Sequence, residues 1–528
     1  MDFFDYDYDW VVIGSGFGGS VSALRLAEKG HRVLVLESGA RFEDNDFAQR
    51  TTDAKCYYWL PFLKMKGIFR LTLFKDVFIA SGCGVGGGSL GYANTLYRPL
   101  PGFYRNPQWS TLADWENALA PHYDTAERML GVATYDHDGP ADLLLKEYGE
   151  FIGVGDTYQR SRVGVFLGEP GKTVADPYFG GEGPERTGCI KCGSCMLGCR
   201  YGAKNTLRKN YLWFAERAGV QIEPERTVID VRPLAGCDGS QGYQVTSVRS
   251  GAWFKREKRT IRARGVVVAA GALGTNRLLQ RCKLNGSLPN ISDRLGYLVR
   301  TNSESITGVV APKDYPDDFT KSLAQTSSIY LDADTHLEVV TYGRGADSQS
   351  WLQTMLVEAR RRGVQPFLFL ASAIRRPREL LKAMRFRDSS RLTVVLLVMQ
   401  STENAIRLKV KRRLPGGGVA LTTQQDPNNP NPVGLQAAYQ AARWFANRTG
   451  GVPTSNITEA VFAIPSTAHI LGGAAIGESP QTGVVDDRHR VFGYQNLLVC
   501  DGAAIPSNVG VNPSLTITAM AERAMTFV

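Results

Sequence analysis

The sequence predicts an α/β dinucleotide-binding domain of the Rossmann type and a further, strand-containing domain elsewhere in the chain. Three observations predict this fold. The chain opens with a strand, a glycine loop, a helix and a second strand, and a buried apolar strand near 266–270 leads into another glycine turn and helix. Apolar strand-like segments such as Leu337–Val340 fall in a separate part of the chain. Alternation of strands and helices favours a parallel sheet covered by helices.

The opening stretch, "DWVVIGSGFGGSVSALRLAEKGHRVLVLESG", carries the strongest signal. It predicts a strand over Asp9–Ile13, a helix over Ser20–Lys29 and a second strand over Arg32–Leu36. Because strand, glycine loop, helix and second strand all occur in the expected order, the motif indicates a nucleotide site and not a glycine turn of no function.

Each glycine of this G-x-G-x-x-G motif has its own physical role. Gly14 permits the tight turn, Gly16 lets a pyrophosphate approach the backbone, and Gly19 lets the helix pack closely on the sheet. The N-terminus of the helix then offers free N–H groups to the phosphates. Glu37 ends the second strand, where a carboxylate accepts hydrogen bonds from a ribose hydroxyl. The motif alone does not distinguish FAD from NAD.

A second glycine run, "FIASGCGVGGGSLGYANTLYRPL" at residues 78–100, indicates a further ligand contact. Five glycines within seven positions let the backbone lie close to a flat or charged ligand. Apolar flanks at Val77–Ile79 and Leu90–Leu96 favour an ordered segment over a linker.

Three stretches of the chain resemble the glucose–methanol–choline (GMC) oxidoreductase family. They are the glycine run at 82–99, "VVVAAGALGTNRLL" at 266–279 and "NLLVCDGAAIPSNVGVNPSLTITAMAERAM" at 496–525. Within the family, the chain is most similar to bacterial cholesterol-oxidase-like flavoproteins. The resemblance implies FAD as the cofactor and the oxidation of a hydroxyl group.

The resemblance also implies which residues contact FAD. Asp501 would meet a ribitol hydroxyl, and the helix that begins near Pro513 would direct its positive end at the flavin, which favours its reduction. The full set of expected cofactor-binding residues is Gly14, Gly16, Phe17, Gly19, Glu37, Gly82, Gly87, Gly88, Ser89, Tyr92, Asn94, Ala270, Gly271, Asp501, Gly502, Asn512 and Pro513.

Two residues are the expected catalytic pair. His469 in "STAHILGG" matches the family histidine that faces the flavin, and Asn512 in "GVNPSLT" falls at its companion position. A neutral imidazole accepts the proton of a substrate hydroxyl, while the amide orients its oxygen. Spacing alone would favour a structural histidine, so this assignment depends on the resemblance.

Glu338 in "DTHLEVVTYG" is the third catalytic candidate, on an apolar strand. In similar sterol oxidases a glutamate moves a proton that shifts a double bond from the 5,6 to the 4,5 position. Burial would raise its pKa and suit it to this transfer. The alternative is an acid at an exposed strand edge.

Three interpretations of the cysteines of "GCIKCGSCMLGCR" are considered: a zinc site, an iron–sulfur cluster and a thiol-rich turn without metal. Cys189, Cys192, Cys195 and Cys199 have a spacing that is found in iron–sulfur proteins. Zinc is disfavoured because structural zinc sites use separated ligand pairs. An iron–sulfur cluster, as in some GMC-type dehydrogenases, and a thiol-rich turn without metal both stay open.

Composition limits location and partners. The 528 residues are 43% hydrophobic, carry a net charge of +10 and contain nine cysteines without a disulfide framework. Neither a spanning apolar run nor a secretory leader is recognisable, so we expect a cytoplasmic protein. No nucleic-acid motif accompanies the basic charge, and we expect no nucleic-acid partner.

The resemblance implies that the Rossmann-like domain is interleaved along the chain with an α+β substrate domain built on an antiparallel or mixed sheet. The domain limits follow from this family pattern and from the loop at "QQDPNNPNP". We expect the FAD-binding domain at 1–135, 185–300 and 464–528, and the substrate domain at 136–184 and 301–463. The segment 351–391 mixes apolar and basic residues at helical spacing. It is either a peripheral contact with an anionic membrane or a helix packed on the domain with a solvated basic face.

The sequence therefore predicts an enzyme of steroid or lipid metabolism. It would oxidise a hydroxyl on a hydrophobic alcohol, above all a 3β-hydroxysterol to its ketone, with oxygen or another electron acceptor and with double-bond isomerisation as an additional step. One alternative is a dehydrogenase for sterols or long-chain alcohols that passes electrons to a cluster or external acceptor. Another is a flavin-bearing lipid binder without turnover.

Overall fold

A computed structural model describes residues 5–252, 256–413 and 418–528. Within these ranges the helices are α1 (Phe17–Glu28), α2 (Ala54–Tyr57), α3 (Pro101–Tyr104), α4 (Trp115–Met129), α5 (Pro140–Phe151), α6 (Tyr211–Arg217), α7 (Gly271–Leu284), α8 (Gln365–Arg375), α9 (Pro377–Ala383), α10 (Ser389–Leu392), α11 (Gln436–Thr449), α12 (Ile457–Phe462) and α13 (Ser514–Met525).

The strands of the same ranges are β1 (Tyr8–Ile13), β2 (Val33–Leu36), β3 (Trp59–Leu60), β4 (Met65–Lys66), β5 (Phe69–Leu73), β6 (Phe78–Gly82), β7 (Ala133–Thr134), β8 (Gln159–Arg160), β9 (Arg162–Val163), β10 (Thr173–Val174), β11 (Arg186–Thr187), β12 (Gln221–Glu223), β13 (Arg226–Pro233), β14 (Tyr243–Arg249), β15 (Arg259–Val268), β16 (Ser305–Val310), β17 (Gln325–Tyr330), β18 (Thr335–Val340), β19 (Gln353–Met355), β20 (Thr393–Gln400), β21 (Ile406–Arg413), β22 (Gly418–Gln425), β23 (Val452–Asn456), β24 (Ser466–Thr467) and β25 (Leu497–Val499).

The first large sheet has seven strands in the order β12-β2-β1-β15-β14-β13, with β25 paired to β15. β1 lies parallel to both β2 and β15, and β25 is parallel to β15. The fully buried runs of β2 and β25 suit a sheet that is covered on both faces. The crossover from β1 through α1 to β2 is the predicted Rossmann unit, and the helix begins at Phe17, three residues before the expected start.

The second large sheet is antiparallel, in the order β19-β23-β16-β20-β18-β17-β8. Its strands come from a different part of the chain than those of the first sheet, apart from the short β8. The two sheets together confirm the predicted fold class, a Rossmann-like part combined with an antiparallel one. The domain limits near residues 135, 184, 300 and 463 stay predictions.

A small three-stranded sheet brings together segments that are far apart in the sequence. β24 pairs in parallel with β6, and β6 pairs with β5. The pairing of Ser466 with Phe78 and of Thr467 with Ile79 brings the segment that carries His469 beside the second glycine run. Two regions far apart in sequence therefore share one site.

Candidate active site

A cavity of about 350 Å³ lies between the two large sheets. Most of the predicted cofactor-binding residues line it: Gly16, Phe17, Gly82, Gly88, Tyr92, Ala270, Gly271, Asp501, Gly502, Asn512 and Pro513. The cavity also contains His469. The remaining predicted residues, Gly14, Gly19, Glu37, Gly87, Ser89 and Asn94, lie outside this lining.

The glycines of the first motif bring three backbone segments into contact. A Cβ atom at Gly14 would lie 2.2 Å from the carbonyl oxygen of Ala269, and one at Gly18 would lie 1.6 Å from that of Cys500. These two positions let the loop pack on the ends of β15 and β25. Gly16 is different, because a Cβ atom there would lie no closer than 4.0 Å to another protein atom, and Gly16 lines the cavity. Sequence reasoning missed Gly18.

The second glycine run packs against the first. A Cβ at Gly87 would lie 2.6 Å from the Cα of Gly16, so Gly87 shapes the loop from behind. The Ser89 hydroxyl donates to the Gly86 carbonyl and accepts from the N–H of Leu207, and these bonds give it a structural role. Asn94 faces a second cavity, described below.

Glu37 ends β2 as expected and is buried. Its carboxylate accepts hydrogen bonds from the Ser15 N–H at 3.0 Å, the Ser15 hydroxyl at 2.8 Å and the Gly39 N–H at 2.7 Å. It therefore fixes the glycine loop, and its contact with a ribose stays a prediction.

The C-terminal segment forms the other side of the cavity. Asp501 accepts from Thr275 Oγ1 at 2.5 Å and from the N–H of Ala503 at 2.8 Å. Burial raises the pKa of Asp501 to about 6. Helix α13 begins directly after Pro513, so its N-terminal end points at the cavity. A positive helix end at this position favours a ligand that gains negative charge.

The three predicted catalytic residues meet at one end of the cavity. Asn512 Nδ2 donates to Glu338 Oε2 over 3.3 Å and lies 3.5 Å from His469 Nε2. Glu338 Oε1 and Asn512 Oδ1 have no hydrogen-bond partner among the described residues. Buried polar atoms without partners are rare in proteins, and here they indicate room for a polar ligand.

Glu338 is a buried acid whose surroundings disfavour its ionised form. Burial raises its pKa to about 8, and the neighbouring charge of Glu304 adds to the rise. His336, 3.9 Å from Glu338, offers no compensating charge because burial lowers its own pKa to about 3. A carboxyl group with such a pKa is able to take up and release a proton near neutral pH.

Glu304 is a site residue that sequence reasoning missed. It is fully buried and lines the cavity, and its Oε2 lies 3.2 Å from His469 Nδ1. It directly precedes β16, and no motif in "RTNSESITGVV" marks it as functional. Only the three-dimensional fold, in which Glu304 accepts hydrogen bonds from Thr467 and Ala468, brings it to the histidine.

Apolar side chains from the antiparallel sheet form the wall opposite the glycine loops. Ile306 pairs with Leu397, which pairs with Glu338, so these three residues lie in one row across β16, β20 and β18. Val340 and Val395 form the next row on the same face, because residues two apart in a strand share a face. Tyr342, Leu352 and Met196 extend this wall, which suits a hydrophobic substrate.

The four clustered cysteines line a second cavity of about 570 Å³, behind the first. Burial raises the pKa of Cys189 to about 12 and that of Cys195 to about 11. Cys192 and Cys199 also contribute to its lining. In the described ranges, no group of three or more His, Cys, Asp or Glu side chains is arranged to hold a metal ion. The iron–sulfur alternative therefore stays a prediction without a preformed ligand set.

The second cavity is separated from the first by a thin wall. Tyr92 and Met196 face the first cavity, while Asn94 and Cys195 face the second. Lys204 is buried in this region and donates to the carbonyl oxygens of Leu90, Tyr92 and Cys195, each at 2.9 Å. Burial lowers the pKa of Lys204 to about 8.

Comparison with known proteins places this site in a family. Profiles described as GMC oxidoreductase match residues 184–296 and 370–521, and one described as an NAD(P)-binding Rossmann-like domain matches residues 12–42. A cholesterol oxidase of Acinetobacter baumannii is 46% identical over 532 residues, which cover 99% of this chain and 95% of that protein. The chain belongs to the GMC oxidoreductase family. It is therefore an enzyme, and oxidoreductases of this family use FAD.

Further relatives agree with this assignment. A cholesterol oxidase of Mycobacterium tuberculosis strain H37Rv is 47% identical over 533 residues, which cover 98% of this chain and 90% of that protein. The crystal structure of a pyridoxine 4-oxidase shares the fold, with a TM-score of 0.61, 14% identity and coverage of 98% of both chains. At that identity the structural likeness concerns the fold alone.

Proposed function

We propose that this GMC oxidoreductase oxidises the 3β-hydroxyl of a sterol to the ketone. One observation carries the proposal: His469 Nε2 and Asn512 Nδ2 lie 3.5 Å apart, in a cavity that has glycine loops on one side and an apolar wall on the other. The glycine side suits a dinucleotide, and the apolar side suits a large hydrophobic alcohol. The names of the two cholesterol oxidases support the sterol as substrate.

The residues present fit FAD. The gap beside Gly16, the start of α13 at the cavity wall and the carboxylate of Asp501 provide a pyrophosphate contact, a positive helix end and a hydroxyl acceptor in one cavity. When bound, FAD supplies the acceptor for the hydride that leaves the carbinol carbon of the substrate.

The chain's own side chains handle the proton and the orientation of the substrate. His469 Nε2 accepts the hydroxyl proton, because it is the imidazole nitrogen that faces Asn512. The Asn512 amide donates to the substrate oxygen and holds the hydroxyl toward the histidine. The apolar wall excludes water from the reacting carbon.

We assign the isomerisation step to Glu338. Its ionised carboxylate removes a proton from the carbon between the new ketone and the double bond, and the resulting acid returns the proton two carbons further along. The pKa of about 8 supports this role, because a weak acid of this strength both accepts and releases a proton readily.

We further propose FAD as the enzyme's redox group and molecular oxygen as its final electron acceptor. The relatives' names as oxidases support oxygen. The arrangement of the four cysteines supports a thiol-rich turn, since the described residues hold no preformed metal ligand set. Iron and acid-labile sulfide in stoichiometric amounts with flavin would contradict this proposal.

We also propose that the segment 351–391 docks on an anionic bilayer, from which a sterol is withdrawn. Phe367, Leu370 and Ile374 lie on one face of α8 and are 72%, 57% and 71% exposed. The opposite face is anchored, because Phe369 and Ala373 pack on the core of the second sheet. An exposed apolar stripe on α8, next to basic residues of α8 and α9, suits binding to an anionic membrane surface.

Two further features support this orientation. Basic residues accompany the apolar stripe along the segment: Arg375, Arg376, Arg378, Lys382, Arg385 and Arg387. Trp351 is exposed and adjoins Leu352, which lines the active-site cavity, so the apolar surface continues to the site. No helix of the described ranges has the length and apolar character needed to cross a bilayer. A cytoplasmic location stays a prediction.

A substrate panel tests the proposed reaction. The purified enzyme is supplied in air with a 3β-hydroxy-5-ene sterol, its 3α epimer, a long-chain primary alcohol and an aminoglycoside, and the products are identified by mass spectrometry. We expect turnover of the 3β sterol to a 4-ene-3-ketone. Turnover of the long-chain alcohol alone, or of no alcohol, would contradict the proposal.

A further inference from the structure

The catalytic histidine has a buried carboxylate neighbour on the side away from the proposed substrate. Glu304 Oε2 is 3.2 Å from His469 Nδ1, and that nitrogen makes no hydrogen bond to another described residue. Glu304 is 3% exposed. A buried ionisable group is costly unless it interacts with a partner, so its position beside the histidine requires an explanation.

Glu304 is firmly attached to the turn that carries the histidine. Its Oε2 accepts from the Thr467 hydroxyl at 2.7 Å and from the Ala468 N–H at 3.0 Å. The Thr467 hydroxyl in turn accepts from the N–H of His469 at 2.9 Å. The Glu304 carboxylate therefore holds the backbone that leads to His469 and also lies beside the imidazole ring of His469.

The backbone before Glu304 is held in an unusual conformation. Asn302 and Ser303 have φ angles of 59° and 47°, in the left-handed region that residues other than glycine seldom adopt. The Asn302 side chain accepts from the N–H of Gly510 and donates to the carbonyl of Val511, at 2.9 Å each. Strain of this kind persists where the surrounding structure enforces it, and it is concentrated at functional sites.

These contacts connect both catalytic residues to one locked loop. Gly510 and Val511, which bond to the Asn302 side chain, directly precede Asn512. The loop that contains Asn302 also places Glu304 beside His469. The two members of the catalytic pair are thus set relative to one another through Asn302 and Glu304.

We propose that Glu304 is a positioning residue for His469, an inference that rests on the proposed role of His469 as the base. The carboxylate attracts the proton of the imidazole to Nδ1, which leaves the lone pair of Nε2 facing Asn512 and the substrate. It also stabilises the positive charge that the ring acquires when Nε2 takes the hydroxyl proton. The same arrangement of acid and imidazole serves hydrolases that use a Ser-His-Asp triad.

The kinetic test compares Glu304→Gln with Glu459→Gln. Glu459 is a matched control, since it is also a fully buried carboxylate beside β16, where Ser305 donates to it at 3.3 Å, and it does not line the active-site cavity. We expect Glu304→Gln to lower kcat about 100-fold, within the range of general-base contributions, with KM changed less than about threefold. Flavin content and Tm should match those of the control variant.

Two results would overturn the inference. One is a kcat of the Glu304→Gln enzyme within about twofold of the parent. The other is an equal loss of kcat in both variants, which would indicate only the cost of altering a buried carboxylate. Glu304→Asp is a second variant: it keeps the charge, and we expect it to retain more turnover than Glu304→Gln.

A spectroscopic readout separates this inference from the proposed function and does not require either variant to fold. ¹⁵N-histidine labelling of the parent enzyme, which has six histidines, and assignment by His469→Gln report which ring nitrogen carries the proton. We expect the proton on Nδ1. A proton on Nε2 would overturn the inference, whereas the absence of sterol turnover with the proton on Nδ1 would count against the proposed substrate and leave the role of Glu304 intact.

Discussion

Asn512 donates a hydrogen bond to Glu338 over 3.3 Å, and this bond joins the residue two positions before α13 to strand β18 of the antiparallel sheet. The same amide nitrogen is 3.5 Å from His469 Nε2. One side chain of the Rossmann-like part therefore contacts both a proposed base and a proposed proton carrier. This arrangement allows oxidation and isomerisation to occur on a substrate that stays in one place.

Replacing Glu338 with Gln should separate the two reactions. Glutamine preserves the size of the side chain and removes the group that carries the proton, so we expect the 5-ene-3-ketone to accumulate while the hydroxyl is still oxidised. Chromatography of the products checks this. A variant that still releases the 4-ene-3-ketone at the parent rate would contradict the role of Glu338.

The pH dependence of isomerisation follows from the same residue. Because burial raises the pKa of Glu338 to about 8, the carboxylate that removes the proton becomes more abundant as the pH rises through that value. Isomerisation should therefore accelerate from neutral pH toward alkaline pH. Among the described residues, none of the groups that interact with the carboxyl is a cation that would lower this pKa; they are Asn512, Gln325, His336, Glu304, Tyr97 and Tyr330.

The same shift has a consequence for stability. The folded protein holds the Glu338 proton more tightly than the unfolded chain, where the pKa is near 4.5. The stabilisation is complete below 4.5 and is lost as the pH rises toward about 8. Chemical unfolding at several pH values should show a larger loss in the parent than in Glu338→Gln, because Asp501 and Glu459, whose pKa values burial also raises, contribute equally in both proteins.

Replacing His469 with Gln should remove the oxidation itself. Without a base for the hydroxyl proton, we expect kcat to fall about 100- to 10,000-fold while FAD stays bound. Stopped-flow reduction of the flavin measures this step. His137→Gln, at an exposed position, is the control and should keep parent activity. Equal reduction rates for His469→Gln and the parent would disprove the assignment.

Two glycine variants should separate cofactor binding from folding. Gly16→Ala has room for its methyl group, whose nearest protein neighbour is 4.0 Å away, so we expect a folded protein that binds FAD weakly. Gly18→Ala places a methyl group 1.6 Å from a carbonyl oxygen, and we expect it to misfold. Circular dichroism and flavin content measure the two effects. Normal flavin content in Gly16→Ala would show that the pyrophosphate does not approach there.

The sequence predicted the Rossmann-like part because local signals mark it. The family resemblance brought forward His469, Asn512 and Glu338, whose catalytic roles stay predictions. The glycine spacing after β1 has a direct structural cause, and the positions of His469 and Asn512 follow family motifs. Glu304 carries no such signal, since its role depends on the pairing of β24 with β6 and on the locked loop at Asn302. Asn94 has a left-handed backbone, with φ of 76°, and lines the cysteine cavity, so its contact with the cofactor stays a prediction.

The proposed membrane surface yields a further test. We expect the enzyme to float with vesicles of phosphatidylglycerol and phosphatidylcholine, less at high salt, and less with phosphatidylcholine alone. The double change Phe367→Ser and Ile374→Ser should reduce flotation and turnover of vesicle-embedded sterol, with turnover of detergent-dispersed sterol unchanged. Leu143→Ser, another exposed apolar position, is the control. Undiminished flotation of the double variant would contradict the proposed surface.

Anaerobic titration of the purified flavoenzyme with a 3β-hydroxysterol tests the central claim most directly. If His469 and Asn512 direct hydride transfer from a sterol to the flavin, the oxidised flavin absorbance should disappear with one sterol consumed and one ketone formed for each flavin. A flavin that stays oxidised while the sterol demonstrably binds would contradict the account.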